Sequence, residues 1–107
     1  MARKQLKTLT EPMYYILLCL LKPMHGYGIM QRIDEITGSR VKVGPGTLYA
    51  LISRFEKEEI VIKVSSDNGK KTYILTEKGK EILMFEYNRL NQLVCDGAVL
   101  RGETDES

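Results

Sequence analysis

The first strongly apolar segment of the chain, from Met13 to Leu21, is hydrophobic on nearly every side of a helix. Thr10 is a capping residue and Pro12 is tolerated in a first turn, so the pattern predicts a helix that begins after Thr10 and ends before Pro23. A helix that is apolar all round must be covered on every side. Because so small a chain has little material for that cover, we expect a second chain to supply part of it.

Two shorter amphipathic helices follow. An isoleucine stripe at i, i+4 and i+7 from Ile29 predicts the second helix, which ends at Gly38. After a brief extended stretch (41–43), Pro45 suits the first turn of a third helix, whose apolar residues again lie at helical spacing. Those residues are Leu48, Leu51, Ile52 and Phe55. The opposite face of the third helix is small and polar and consists of Thr47, Ala50, Ser53, Arg54 and Lys57, with Tyr49 toward one edge.

The hydrophobic period changes from 3.6 to 2 after the third helix. Residues Ile60 to Val64 alternate in the manner of a half-buried strand, and Lys71 to Leu75 forms a second extended run. The segment between them, Ser66-Asp67-Asn68-Gly69, has strong turn chemistry. The pattern therefore predicts a β-hairpin with a basic return strand.

A long helix closes the pattern. Thr76 is suited to cap its start, and the helix is expected to end around Asp96-Gly97. Its apolar stripe comprises Leu83, Tyr87, Leu90 and Val94, widened by Ile82, Phe85 and Leu93. The stripe either packs on the core of its own chain or pairs with a second copy. We expect pairing, because so long a terminal helix cannot lie wholly on so small a domain.

The order of these elements defines the expected fold class. It is a mainly helical α+β protein, a winged helix-turn-helix domain followed by a long C-terminal dimerisation helix. We assign a basic N-terminal arm (1–9), the winged domain (10–75), the C-terminal helix (76–100) and a mobile tail (101–107). In such a fold the third helix enters a DNA major groove about 12 Å wide, and the hairpin reaches neighbouring phosphates.

The net charge of +2 conceals a division along the chain. Residues 1–75 carry 12 basic and 7 acidic side chains, a balance of +5, whereas residues 76–107 carry 4 and 7, a balance of −3. The positive part coincides with the predicted winged domain and indicates contact with a polyanion. The negative part indicates an end that stays away from DNA.

Composition and spacing argue against several other classes of protein. The longest apolar run is far shorter than the roughly 20 residues that cross a bilayer, and no signal-peptide cleavage pattern follows it. Cys19, Cys95 and the single histidine, His25, lack the spacing of a zinc site. Gly26 and Gly28 do not form a phosphate loop. We therefore expect a cytoplasmic protein that is not an enzyme and uses no metal or cofactor.

The basic and polar candidates each have two interpretations from the residues alone. The polar face of the third helix either reads DNA or is the solvent face of an amphipathic helix. Lys70 and Lys71 either contact phosphates or protect an edge strand from pairing with another chain. Arg54 suits a phosphate better than a base, and Gly26 could present backbone N–H groups to another phosphate. The N-terminal arm either reaches DNA or is simply an untethered basic terminus.

Five segments of the chain resemble the PadR-like family of transcriptional regulators. They are Tyr15-Ile16-Leu17-Leu18, Pro23-Met24-His25-Gly26-Tyr27-Gly28-Ile29, Gly46-Thr47-Leu48-Tyr49, Arg54-Phe55-Glu56 and Tyr73-Ile74-Leu75-Thr76-Glu77-Lys78-Gly79. Together they cover roughly residues 12–95. The resemblance implies a dimeric winged-helix repressor, usually ligand-responsive, whose C-terminal helix pairs with the first helix of its partner. The single C-terminal helix resembles the shorter branch of the family.

Three positions depart from the pattern of that family. Glu59 stands where a glycine often follows the third helix, so the turn must close without the residue that most easily adopts a left-handed conformation. Phe55 replaces a more usual leucine, and Thr72 replaces a second tyrosine of the wing. The chain has no tryptophan, which excludes the indole-lined ligand pocket of some relatives.

These observations assign residues to two predicted surfaces. The predicted DNA-binding residues are Thr47, Tyr49, Ser53, Arg54, Lys57, Lys63, Lys70, Lys71, Tyr73 and Gly26. The predicted dimer interface contains Met13, Ile16, Leu17, Leu20, Leu83, Tyr87, Leu90 and Val94. A small hydrophobic effector could enter between the first and last helices, with Met13, Ile16, Leu17, Leu90 and Val94 as candidate wall residues. Core packing is the better explanation for each of these residues taken singly.

The predicted function is sequence-specific regulation of transcription. A homodimer would bind double-stranded DNA at an inverted repeat, most simply as a repressor that a small hydrophobic effector releases. The alternative is a winged-helix adaptor that binds other proteins and not DNA. Lys70, Lys71 and Arg54 favour DNA, whereas Glu56 and its neighbouring acids favour the adaptor.

Overall fold

The computed structural model describes residues 8–102 of the chain. Most of the predicted basic arm, and the predicted tail beyond residue 102, lie outside the described residues. The elements are α1 (Glu11–Cys19), β1 (Met24–His25), α2 (Gly26–Thr37), α3 (Pro45–Lys57), β2 (Val61–Asp67), β3 (Lys70–Leu75), α4 (Glu77–Asp96) and a final 3₁₀ turn (Gly97–Arg101). This order confirms the predicted mainly helical α+β fold, a winged helix-turn-helix with a long C-terminal helix.

Local capping chemistry sets where the helices begin. The Thr10 hydroxyl accepts a hydrogen bond from the N–H of Met13 at 3.3 Å, and the Thr76 hydroxyl accepts one from the N–H of Gly79 at 2.9 Å. Each satisfies a first-turn donor that has no acceptor within its own helix. Helix α3 begins differently, since Gly44 is its N-cap and Pro45 fixes the first helical residue.

The sheet has one more strand than the predicted hairpin. Its three antiparallel strands lie in the order β1-β3-β2, and β1 pairs Met24 with Tyr73. The hairpin turn uses positive φ angles at Asn68 (52°) and Gly69 (79°), as a tight turn that matches the twist of the strands requires. The ladder shifts between Lys63 and Ser65, where β2 carries a bulge.

A single core joins α1, α2, α3 and the sheet. Helix α1 is covered mainly by its own chain, since Met13, Ile16, Leu17, Cys19 and Leu20 are all buried within that core. This corrects the expectation that a second chain supplies part of the cover of α1. Sequence reasoning underestimated the cover because the packing of α2, α3 and the sheet around α1 is set by contacts between distant segments.

Helix α4 extends beyond the rest of the molecule. The radius of gyration is 16.1 Å, whereas a compact domain of this length has about 13 Å. The molecule measures 57 × 40 × 21 Å along its principal axes. A helix as long as α4 spans about 30 Å, and its C-terminal half bears mostly exposed residues. Within the described residues, no helix combines the length and apolar character needed to cross a bilayer.

Candidate nucleic-acid interface

Helix α3 presents the two faces that its sequence predicts. Leu48, Ile52 and Phe55 are buried against the core and hold the helix in place. The predicted DNA-reading residues of the opposite face are all exposed, namely Thr47, Ser53, Arg54 and Lys57, with Tyr49 partly exposed beside them. The first turns of α3 expose no side chain bulkier than threonine except Tyr49 and Pro45, so the backbone can approach a groove closely.

The start of α2 lies directly against α3. Gly26 is the first residue of α2, and a Cβ atom placed there would overlap the hydroxyl oxygen of Tyr49 and lie 2.6 Å from its Cζ atom. The Tyr49 ring therefore occupies the space that any side chain at position 26 would need. Gly26 is required here for the close approach of an aromatic ring, not for backbone flexibility.

A cleft of about 360 Å³ separates the start of α2 from the tip of the hairpin. We call it the wing cleft. Its walls come from α2 with its cap, from α3 and from the wing, and are formed by His25, Gly26, Tyr27, Tyr49, Gly69, Lys70, Lys71 and Tyr73. Five of the ten predicted DNA-binding residues thus line one cleft. The sequence placed these five residues on three separate elements and did not show that they lie together.

Tyr73 has a different environment from the other predicted DNA-binding residues. Its side chain is only 5% exposed, because β3 is the central strand of the sheet. Burial raises the pKa of the Tyr73 phenol, and the nearby Glu56 carboxylate and Tyr49 raise it further. The hydroxyl therefore keeps its proton at neutral pH and can donate a hydrogen bond.

The cations of this face are of two kinds. Lys57, Lys63, Lys70 and Lys71 are exposed and form no ion pair with the side chains that the structure describes. Arg54 instead pairs with Glu58 at 3.2 Å, one turn further along α3. This pair is half exposed and weak, so an incoming phosphate could replace the carboxylate. Of the two kinds, the lysines are the more readily available to a polyanion.

The start of α4 is hydrogen-bonded to the end of α3. The Lys78 ammonium donates to the carbonyl oxygen of Glu58 at 2.9 Å, and the Thr76 hydroxyl donates to the carbonyl oxygen of Glu59 at 2.7 Å. A Cβ atom at Gly79 would collide with the carbonyl oxygen of Ile60. Sequence reasoning recognised Thr76 as a cap but missed the contact of Lys78 with the end of α3 and that of Gly79 with Ile60 in the turn that follows α3.

The predicted dimer residues fall into two groups. Met13, Ile16, Leu17, Leu20 and Leu83 are at most 7% exposed within the single chain, so their burial needs no partner. This corrects their assignment to the surface between two chains. Tyr87 and Val94 are 53% and 72% exposed, and Leu90 is partly exposed. Only this second group leaves an apolar surface for a partner.

Sequence reasoning missed Glu86, the buried acid of α4. Glu86 is only 2% exposed, and its carboxylate accepts two hydrogen bonds from the Arg89 guanidinium, at 2.8 and 2.9 Å. It also accepts one from the backbone N–H of Leu9 at 3.3 Å. The Arg89 guanidinium lowers the pKa of the Glu86 carboxyl, burial opposes that change, and the Leu9 N–H supports it. Glu86 therefore anchors the segment before α1 to α4.

The fold and the site define the class of the protein as a winged-helix transcriptional regulator. Residues 16–84 match the pattern of the family described as "Transcriptional regulator PadR-like family". This match covers more than half of the chain. The protein therefore belongs to the PadR-like family, and its members are regulators of transcription, not enzymes.

Individual relatives agree with that assignment. A PadR-like transcription factor from Bacteroides fragilis is 33% identical, with a TM-score of 0.61, over 78% of this chain and 85% of that one. A PadR family transcriptional regulator from Eggerthella lenta, at 24% identity and a TM-score of 0.66, shares the fold over 86% of this chain and 81% of that one.

A further relative is much longer than this chain. An uncharacterized 37.1 kDa protein in transposon TN4556 of Streptomyces fradiae is 33% identical over 95 residues, or 84% of this chain. The chain spans only 27% of the length of that relative.

Proposed function

We propose that the protein regulates transcription by binding a specific double-stranded DNA site as a homodimer, and that it acts as a repressor. The observation that supports DNA binding best is the shared position of three features. Tyr49 at the edge of the polar face of α3, the start of α2 and the wing lysines Lys70 and Lys71 line the wing cleft, and the rest of that polar face is exposed on the same helix. In this arrangement α3 enters the major groove while the wing contacts the flanking phosphates.

The exposed part of α4 supports the homodimer. Tyr87, Leu90 and Val94 form an apolar strip on a helix that extends past the core of its own chain. In the proposed dimer, two such strips pair about a two-fold axis, which would cover them, and the two α3 helices contact the two halves of one DNA site. The DNA site is then an inverted repeat with half-site centres about 34–36 Å apart.

Effector control is the third part of the proposal. Met13, Ile16 and Leu17 are buried in the core, so they are not available to line an effector site. Of the predicted wall residues, Leu90 and Val94 remain, and we place the effector between the two α4 helices of the proposed dimer. A small hydrophobic molecule that binds there would change the spacing of the α3 helices. A thermal-shift screen of the dimer with planar and phenolic compounds tests effector binding. If no compound changes the melting temperature, the proposed effector control is contradicted.

Selection of bound fragments from a random DNA library tests DNA binding and symmetry together. We expect one inverted-repeat motif, and an affinity that falls steeply as salt rises. Arg54→Gln and Lys71→Gln should each weaken binding to all sequences and reduce the salt dependence by about one counterion. Lys80→Gln on α4 is the matched control and should change neither. No enrichment of DNA at low salt, together with a stable protein partner in pull-downs, would favour the adaptor function.

A further inference from the structure

A second groove lies between α2 and the segment that leads to α3. It has a volume of about 250 Å³ and is lined by Met30, Gln31, Asp34, Lys42 and Val43. None of these residues lines the wing cleft. We call this second site the α2 groove. Its volume is below the roughly 300 Å³ at which pockets for drug-sized ligands begin, so it is suited to a single side chain and not to a cofactor.

The α2 groove contains a buried polar atom that has no hydrogen-bond partner among the described residues. This atom is Oδ1 of Asp34. The Lys42 ammonium lies 3.7 Å from it, which is too far for a hydrogen bond. The Lys42 side chain is also 73% exposed, so the attraction between the two charges is weak. A buried acceptor without a donor costs free energy, and a ligand that donates a hydrogen bond in the groove removes that cost.

The position of Asp34 on its helix makes its charge still less favourable. Asp34 and Glu35 lie in the last turn of α2, and that turn has no basic residue. The C-terminal end of a helix carries a partial negative charge, which disfavours acids there and attracts cations. Glu35 is paired with Arg32 at 3.4 Å on the exposed surface, whereas Asp34 lines the groove. The α2 groove is therefore suited to a cation.

The other walls of the groove select the kind of cation. Val43 is buried and Met30 is partly buried, and such apolar walls suit an aliphatic stem that lies along them. Gln31 offers an amide oxygen as a second acceptor. A guanidinium brings a planar fork of donors and is more weakly hydrated than an ammonium. A metal ion takes about six oxygen ligands, more than these side chains offer.

We propose that the α2 groove is a docking site for an arginine side chain of a partner protein, with the Asp34 carboxylate as the acceptor of the guanidinium. The stem of the arginine lies against Met30 and Val43. Nucleic acid is not the occupant, because the unpartnered oxygen needs a donor and a phosphate offers only acceptors. Arginine is also among the residues that most often anchor protein interfaces in desolvated pockets. This inference does not depend on the proposed DNA binding.

The first test uses a small probe in place of the partner. Acetyl-arginine methylamide is titrated into the full chain, and the amide chemical shifts of Gln31, Asp34 and Val43 are followed. Acetyl-citrulline methylamide is the matched probe, since it has nearly the same shape and no charge. We expect saturable shifts with the arginine probe and about tenfold weaker binding of the citrulline probe, the loss expected when a hydrogen bond loses its charge. Equal binding of the two probes would overturn the proposal.

Three variants separate docking from a structural role. Asp34→Asn should weaken binding of the arginine probe about tenfold, and it should keep or raise the melting temperature because it removes an acid from the negative end of α2. Glu35→Gln, in the same turn but outside the groove, is the matched control and should leave the affinity unchanged. Lys42→Gln should strengthen probe binding without lowering the melting temperature. If Asp34→Asn and Lys42→Gln both lower it, Lys42 is the structural partner of Asp34, and the groove is not a docking site.

A cross-linking experiment identifies the occupant in the cell. Photoreactive p-benzoylphenylalanine replaces Glu35, one residue from Asp34, and the cross-linked peptides are sequenced. We expect them to lie within a few residues of an arginine in another protein, and to disappear when Asp34→Asn is added. Cross-links to Arg3 or to any other part of this chain, or cross-links that do not depend on Asp34, would overturn the partner. If the arginine probe binds but no DNA does, the proposed function fails and this inference stands.

Discussion

The Lys78 ammonium at the start of α4 donates a hydrogen bond to the carbonyl oxygen of Glu58 at the end of α3, over 2.9 Å. A basic side chain at this position also interacts favourably with the negative end of the α3 dipole. The helix that we propose to read DNA is thereby bonded directly to the helix that we propose to form the dimer.

The close contact of α4 with Ile60, in the turn that follows α3, predicts that position 79 tolerates no side chain. Gly79→Ala would place a methyl group against the carbonyl oxygen of Ile60 and within 3.0 Å of Leu75 Cδ2. We expect a loss of about 1–3 kcal/mol in the free energy of unfolding, the usual effect of overpacking. Urea unfolding at fixed protein concentration measures it.

Gly97 offers a matched control for that substitution. It has a φ of −81°, and a Cβ atom there meets nothing within 4 Å. Gly97→Ala should therefore leave stability unchanged or raise it by up to about 1 kcal/mol. Equal effects at the two positions would contradict the contact between Gly79 and Ile60.

The end of α3 predicts a stabilising substitution at Glu59. Glu59 has a φ of 62°, and its N–H and that of Ile60 donate to the carbonyl oxygens of Glu56 and Phe55. These two bonds form a Schellman motif, in which the left-handed residue is normally glycine. Glu59→Gly should raise the free energy of unfolding by up to about 1 kcal/mol.

The control for Glu59→Gly lies two residues earlier. Lys57 is the last residue of α3, so Lys57→Gly places the same flexible residue at a helical position. It should lower stability by about 0.5–1 kcal/mol. If both glycines destabilise the protein, the strain at Glu59 is not released by the substitution.

Local chemistry accounts for what the sequence could predict. The caps at Thr10 and Thr76, the Asn68-Gly69 turn and the stripe of α3 each depend on residues within about two helical turns of each other. All four are present in the structure. A turn at Glu59, just past α3, was also predicted, but the left-handed conformation that Glu59 itself adopts there was not. These signals were enough for the fold class and for the exposed face of α3.

What the sequence could not predict depends on distant contacts. Strand β1 has only two residues, too few to show a period, and exists through its pairing with β3. Glu86 looks like a surface acid of α4, and its burial depends on Leu9, 77 positions away. The wing cleft likewise needs three elements from separate parts of the chain, so no spacing in the sequence reveals that Tyr73 and Gly26 share it.

The Glu86–Arg89 pair predicts a specific dependence of stability on pH. The pKa of Glu86 is lowered below its ordinary value of 4.5, so the folded state favours the carboxylate. The ionised Glu86 carboxylate contributes fully to the free energy of unfolding above pH 4.5, and this contribution is lost as the pH falls through the lowered pKa of the folded state. Glu86→Gln should therefore cost about 2 kcal/mol at pH 7, and the difference from wild type should shrink below pH 4.5.

Glu81 on the same helix is the control for this titration. Glu81 is exposed and forms no ion pair with the described side chains. The free energy of unfolding of Glu81→Gln should therefore follow that of the wild type from pH 7 to pH 3. Urea unfolding at each pH compares the three proteins. A Glu86→Gln deficit that stays constant into acid would mean that lost packing, and not the carboxylate charge, causes it.

The apolar strip of α4 predicts which substitution separates the two chains of the proposed dimer. Val94 is 72% exposed in the single chain, yet it would be covered when two α4 helices pair. Val94→Glu would bury a charge without a partner, so we expect the dissociation constant of the dimer to rise at least tenfold, measured by sedimentation equilibrium. Asn88→Glu adds the same charge at an exposed position on another side of α4 and should leave the dimer intact.

Neither substitution should disturb the fold, because neither residue lies in the core. Binding to an inverted repeat should weaken with Val94→Glu, while binding to an isolated half-site should not change. A Val94→Glu protein that remains dimeric would place the contact between the chains elsewhere on the molecule.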